Sequence, residues 1–352
     1  MPWKPTQDIK LTTRKAGLRY YSDDRHGYSR TRHGRGFIIY DREGNRVADQ
    51  AEKQRIKKLA IPPAWERVWI SPLPHGHLQA TGFDAKGRKQ YLYHELWNEF
   101  RNKSKFGRMR EFGKALPKIR QTTEEHLRKR GLPREKVLAC VVQLLEHTQV
   151  RVGNQEYAQK NESYGLTTLR DKHVKEQGRD KITFEFKGKS GKQNHISLDN
   201  PRLARLVKMC KDIPGYELFQ YYDDKGKKHA IDSGEVNEYI REISGHDFTA
   251  KDFRTWGGTV WATKCYCEIG PCEDEKSAEK NTVQVIKMVA SHLRNTTAIC
   301  RKYYVHPSVV EAYRKGELEA LYRSSRQAAA ATGLTREEQA VMKVLQKFQA
   351  KT

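Results

Sequence analysis

The chain has 352 residues, 37% of them hydrophobic, and carries 67 Lys and Arg against 43 Asp and Glu, for a net charge of +24. That length and apolar content call for two domains with real cores, and that charge calls for a polyanion, nucleic acid first, with a ribosomal or membrane-surface role as the plainer alternative. No run of eighteen apolar residues occurs and the first residues, Met-Pro-Trp-Lys-Pro-Thr, lack an apolar signal core, so neither a membrane-spanning helix nor a leader peptide is expected.

Residues 1 to about 20 read as a basic, irregular leader. Phe37–Tyr40 followed by Asp41-Arg-Glu-Gly44 predicts a strand and its turn. Asp49–Leu59 has helical spacing, and Ile61-Pro-Pro-Ala64 stops it. Trp65–Ile70 and His77–Thr81 alternate as strands, and Arg88–Tyr93 returns after the turn 82–87 as a hairpin partner. Tyr91 and Tyr93 then share a strand face beside Arg88 and Gln90. That set suits stacking, hydrogen bonding and charge contact with DNA, and equally an aromatic core face.

From about residue 96 the pattern is helical, over 94–106, 112–130 and 135–149, the last strongly apolar and therefore buried. It runs straight into Arg151-Val-Gly-Asn154, and an arginine there must be paired or solvated. Leu166 and Leu169 are expected to begin a strand region. Lys181–Phe186 and His195–Leu198 flank the glycine turn Lys187-Gly-Lys-Ser-Gly-Lys192, a hairpin with three lysines at its tip and without P-loop spacing. Helices are expected over 201–211, 235–243, 249–265, 277–293 and 309–321, then a polar-alanine linker at 328–332 and an amphipathic helix over 337–349. The predicted domains are 1–97, β-rich; 98–325, mostly helical; and a helical tail, 326–352.

Six cysteines (140, 210, 265, 267, 272, 300) show no disulfide framework and read as reduced thiols of a cytoplasmic compartment. Cys265, Cys267 and Cys272 lack a partner motif, so no metal site is expected. The stretch Ala290–Pro307 places Asn295 nine residues before Tyr304. Alone it reads as an aromatic pair, Tyr303 and Tyr304, filling a core. With Arg151, Lys189 and Arg254 it supplies what a phosphodiester transfer needs. Tyr304 is a nucleophile, two arginines are forks for the non-bridging oxygens, Asn295 is a neutral donor, and a hairpin lysine can protonate the leaving oxygen. No carboxylate cluster demands a metal, and no cofactor is expected.

Ile61-Pro-Pro-Ala-Trp65, His77-Leu-Gln-Ala-Thr-Gly82, Gly87-Arg-Lys-Gln-Tyr-Leu-Tyr93, Arg151-Val-Gly-Asn154, Gly188-Lys189, Lys251-Asp-Phe-Arg-Thr255 and Asn295 with Tyr304 resemble, in order and spacing, the type IB DNA topoisomerases of the bacterial and poxvirus-like branch. The resemblance spans residues 30–320. It implies an α+β protein, a small β-rich N-terminal domain and a larger, mostly helical catalytic domain forming a C-shaped clamp on duplex DNA, preferably supercoiled. It implies a monomer working without ATP or metal, cytoplasmic at a bacterial nucleoid, through a 3′-phosphotyrosyl intermediate. Carried across, Arg151 and Arg254 clamp the phosphate, Lys189 is the general acid, Tyr304 the nucleophile, and Arg88, Gln90, Tyr91 and Tyr93 touch DNA. Poxvirus-type members carry histidine where Asn295 stands, so a cation there is lost. The alternatives are a tyrosine recombinase or integrase, which usually shows His-x-x-Arg where this chain has Lys251-Asp-Phe-Arg254, and a non-catalytic DNA-binding clamp.

Overall fold

Alternating residues in the first hundred positions become one antiparallel sheet. Its strands are β1 (Tyr28–His33), β2 (Gly36–Tyr40), β3 (Glu66–Ile70), β4 (Leu78–Phe83) and β5 (Lys89–Tyr93), in the order β2-β1-β3-β4-β5. Helix α1 (Gln50–Lys58) starts where Asp49 accepts the Ala51 N–H at 2.9 Å, and its Ile56 joins Ile61, Val68, Ile70 and Ala80 in one buried cluster. Arg30 on β1 donates to the carbonyls of Ile61 and Trp65 at 3.0 and 3.1 Å, which pins the proline loop between α1 and β3. Strand β1 has no apolar face, so only its pairing with β2 and β3 defines it. The computed structural model describes residues 13–349 apart from 35, 86–88, 179 and 224. By its contacts the chain divides into two units, Met1–Phe106 and Gly107–Thr352.

After α2 (Glu95–Gly107), the second unit is built on α3 (Met109–Leu127) and α4 (Arg134–Thr148). Val137, Leu138, Ala139, Val141, Val142, Leu144 and Leu145 on α4 are fully buried, as the apolar run predicts. Around α4 stand α3, α6 (Pro201–Lys211), α7 (Ser233–Ser244) and α8 (Ala250–Ile269), with the short α5 (Gln155–Asn161) between α4 and a three-stranded sheet. That sheet, β6 (Val174–Gln177), β7 (Lys181–Lys187) and β8 (Gln193–Leu198), is antiparallel in the order β6-β7-β8. Helices α9 (Glu275–His292), α10 (Thr297–Tyr303), α11 (Pro307–Arg314), α12 (Leu318–Arg323), α13 (Ser325–Thr332) and α14 (Arg336–Gln349) complete the unit. Helix α14 buries Ala340, Val341, Val344 and Leu345 completely. Its Glu338 accepts from Arg120 at 2.7 and 3.0 Å and from the Trp256 indole at 3.1 Å.

Four local expectations change. Leu166 and Leu169 do not begin a strand. The segment forms two 3-10 turns, Leu166–Thr168 and Asp171–His173, because it folds back on the Arg151 loop. The expected helix 309–321 is two helices, broken at Gly316, which takes φ +69. The alanine-rich 328–332 is the end of α13, not a linker. A short hairpin, β9 (Gln220–Tyr222) with β10 (Lys228–Ala230), was not anticipated; Asp223 shapes its turn by accepting the N–H groups of Lys225 and Lys227.

Candidate active site

Arg151 leaves the C-terminal end of α4 through Gln149, which takes the left-handed conformation at φ 55. The loop that follows is fixed from the main chain. Leu166 N–H donates to the Arg151 carbonyl at 2.9 Å and Thr167 N–H to the Val152 carbonyl at 2.7 Å. Gly165 makes this approach possible, since a Cβ there would lie 2.6 Å from the Arg151 oxygen. Asn154 then caps α5 by accepting the Tyr157 N–H at 2.8 Å.

Lys189 sits on the tip joining β7 to β8, exposed, with Lys187 paired opposite Gln193. The tip is closed by Gly188 N–H on the Lys192 carbonyl at 2.7 Å and by the Asn194 amide on the same oxygen at 3.0 Å. Lys192 does not share the position of Lys189: its ammonium donates to the Asn295 carbonyl at 3.0 Å, tying the hairpin to the turn after α9.

Arg254 lies on the first turns of α8, 4% exposed. One guanidinium nitrogen donates to the Leu293 carbonyl at 3.0 Å, the carbon sits 5.3 Å from the centre of the Tyr304 ring, and Nε has no partner. Burial holds its pKa below the arginine range, the neighbouring charge of Arg151 pushes the same way, and Tyr304 opposes. Arg151, Lys189 and Arg254 line one pocket, which Arg294 also lines, and among the described residues no carboxylate lines it. Four cations round a pocket without an acid make a site for a phosphate-like anion.

The remaining two predicted residues stand beside that pocket and do not line it. Tyr304 ends α10, 9% exposed, with its ring against Arg254. Asn295 is on the turn before α10; its Oδ1 accepts the Thr296 N–H at 3.0 Å, which leaves the amide NH2 as a donor. His292 stacks on Trp261 at 4.2 Å, and burial, then Arg294 and Arg254, push its pKa down to about 4, so it is neutral at pH 7.

The family model described as the eukaryotic DNA topoisomerase I catalytic core matches residues 94–331, more than half of the chain. The chain belongs to the type IB DNA topoisomerases. A second model, the bacterial DNA topoisomerase IB N-terminal domain, matches residues 36–84. The DNA topoisomerase 1B of Acanthamoeba polyphaga mimivirus is 34% identical over 305 residues, 83% of this chain and 90% of its own. The DNA topoisomerase I of monkeypox virus is 24% identical over 252 residues, 70% of this chain and 75% of its own. The chain is thus an isomerase of the type IB class, and Arg151, Lys189, Arg254, Asn295 and Tyr304 all fall inside the catalytic-core match.

In this topoisomerase three of the other predicted contacts, Gln90, Tyr91 and Tyr93, are in the first unit, on β5, between the two matched regions. Arg88 lies outside the described residues. Tyr91 is 49% exposed and stacks on Tyr93 at 6.1 Å. Gln90 donates its amide NH2 to Asp84 at 2.9 Å, so its carbonyl oxygen faces elsewhere as an acceptor. Lys89 pairs with Asp23 at 2.6 Å, and Thr81 donates to the same carboxylate at 2.8 Å, which braces β5 on β4.

Sequence reasoning passed over three residues of this candidate site. Arg294 is one. The other two, Gly258 and Thr259, hold the tyrosine from α8. The single Thr259 hydroxyl proton is shared between the Thr255 carbonyl at 2.9 Å and the Tyr304 carbonyl at 3.1 Å, and Oγ1 accepts the His306 N–H at 3.1 Å. A Cβ at Gly258 would stand 2.8 Å from that carbonyl and 3.1 Å from Tyr304 Cβ. The available signal was the pair Gly257-Gly258 inside a long helix, where glycine costs about 1 kcal/mol and marks a close approach. Gly258→Ala is expected to push α10 and Tyr304 off α8, costing about 1–3 kcal/mol of stability. It should slow single-turnover adduct formation at least tenfold while DNA affinity stays within twofold. An unchanged cleavage rate would show that the contact does not position the nucleophile.

Proposed function

We propose that the chain relaxes supercoiled duplex DNA by transient cleavage of one strand. Tyr304 attacks a phosphodiester, giving a 3′-phosphotyrosyl bond and a free 5′-hydroxyl. The duplex swivels, and the hydroxyl attacks back and releases the tyrosine. The observation that carries this reading is the meeting of Arg151, Lys189 and Arg254 round one acid-free pocket, with the Tyr304 ring against Arg254.

The chemistry follows from the groups. Arg151 and Arg254 offer forked donors to the two non-bridging oxygens and stabilise charge as the phosphorus becomes pentacoordinate. Tyr304 loses its proton to solvent water as its oxygen bonds to phosphorus. The 5′ oxygen leaves with the bonding electron pair and takes a proton from Lys189. Asn295 adds a neutral donor. One ester replaces another, so the bond energy is conserved and ATP is not consumed. Cationic side chains occupy the place where a metal would neutralise phosphate, and the lining offers no carboxylate to hold one. Gln90, Tyr91 and Tyr93 contact the duplex, and the enzyme acts as a monomer.

Relaxation of a negatively supercoiled plasmid tests the reading. The expected result is complete relaxation in EDTA without nucleotide. A strict magnesium requirement would sink the metal-free mechanism. Unchanged topology would leave a DNA-binding protein, and products that depend on paired sites would indicate a recombinase.

A further inference from the structure

We infer that Arg294 is a further catalytic residue: a third guanidinium that binds the scissile phosphodiester beside Arg151 and Arg254. The inference rests on the cleavage reaction proposed above. Helix α9 ends in a motif in which Arg294 N–H donates to the Ser291 carbonyl at 3.1 Å and Asn295 N–H to the Ala290 carbonyl at 2.8 Å. The residue between must be left-handed, and Arg294 takes φ +52. Glycine is the residue that fits there, and a long side chain in this region is uncommon. Strain of this kind collects at functional sites.

What the arginine adds at that position is its side chain, and Arg294 lines the same pocket as Arg151, Lys189 and Arg254. Its one hydrogen bond is long, 3.4 Å from Nη1 to the carbonyl of Thr148, the last residue of α4. That carbonyl end of α4 draws the cation toward the pocket without neutralising it. Burial pulls the pKa of Arg294 down, and no charged neighbour offsets the effect. A half-buried guanidinium with donors to spare, on a residue that lines the same pocket as two other arginines, is organised for an anion before the anion arrives. The transition state of phosphoryl transfer spreads charge over the non-bridging oxygens, and a third fork has acceptors there. Asn295, the next residue, is neutral, so Arg294 is the cation that this turn contributes.

The plainer role for Arg294 is to cap α4, and the choice of variant separates the two. Glycine suits φ +52, so Arg294→Gly should unfold at the same temperature as the wild type or higher. Single-turnover cleavage is measured on a duplex whose cleaved end diffuses away, with the scissile phosphate either an ordinary diester or a neutral methylphosphonate. On the diester the variant should be slower by roughly 100-fold or more, the scale of one lost oxyanion donor. On the methylphosphonate the ratio of wild type to variant should shrink towards one. A diester rate within twofold of wild type overturns the inference. So does a full defect on both substrates, or a gap that closes only when the methylphosphonate sits at a neighbouring phosphate. Failure of the wild type to form an adduct on the diester would instead overturn the cleavage reaction itself.

Discussion

Tyr304→Phe is expected to bind DNA with unchanged affinity and to form no covalent adduct. Relaxation should fall by more than about 10,000-fold, the scale on which loss of a covalent nucleophile is felt. The substitution removes one oxygen and keeps the ring, so the contacts of the ring with Arg254 and of the Tyr304 carbonyl with Thr259 survive. Stability should therefore fall only by the lost bond between the phenol oxygen and Arg254, about 1–3 kcal/mol. Tyr303 is the control. It adjoins Tyr304 and packs at the edge of the same apolar cluster, with Lys302 over its ring at 5.5 Å. It is the Tyr304 ring that the Arg254 guanidinium faces, so Tyr303→Phe should keep adduct formation. The measurement is the amount of protein bonded to a 5′-labelled cleaved strand after denaturation. If the Tyr303 variant loses the adduct and the Tyr304 variant keeps it, the nucleophile has been placed one residue too late.

Lys189→Ala should slow cleavage by roughly 100-fold to 10,000-fold, the usual worth of a positioned general acid. The fold separates the three lysines of the hairpin. Lys187 belongs to β7 opposite Gln193, Lys192 is held on the Asn295 carbonyl, and Lys189 lines the pocket. An alkoxide leaves poorly without a proton, whereas a thiolate leaves alone. A substrate with sulfur in the 5′-bridging position should therefore erase most of the Lys189→Ala defect. Arg151→Ala and Arg254→Ala should stay slow on it, because non-bridging oxygens are unchanged. Lys187→Ala and Lys192→Ala complete the comparison. Rescue of either by sulfur, with Lys189→Ala left slow, would move the acid to that lysine.

Much of the fold was legible where one physical term dominates. The unbroken apolar run of α4 could only be a buried helix, and Asn200 followed by Pro201 sets the start of α6 without help from tertiary structure. The hairpin β7–β8 was legible because its alternation is interrupted by glycines at the tip alone. What escaped depends on distant partners. Strand β1 is polar on both faces and exists through its neighbours. The turns at 166–173 follow from Gly165 meeting the Arg151 loop, a contact that spacing does not encode. At the site, motif order named Arg151, Lys189 and Arg254, and the fold brings them to one pocket. Arg294 was invisible among 67 lysines and arginines, since only its backbone angle and its neighbours set it apart. Gly258 could have been read from its helix, but not what it touches.

The bond from the Trp256 indole to Glu338 also sets a timetable. The two residues are 82 positions apart, and at about 5–20 residues per second a ribosome needs roughly 4–16 s to pass from one to the other. Arg120, which shares that carboxylate, waits longer still. Through that interval the indole N–H has water in place of Glu338, Arg120 has Glu146 alone of its two carboxylates, and the surfaces of α3 and α8 that α14 will cover stay wet. The helix that carries Arg254 is thus made early and covered only when residues 336–349 arrive.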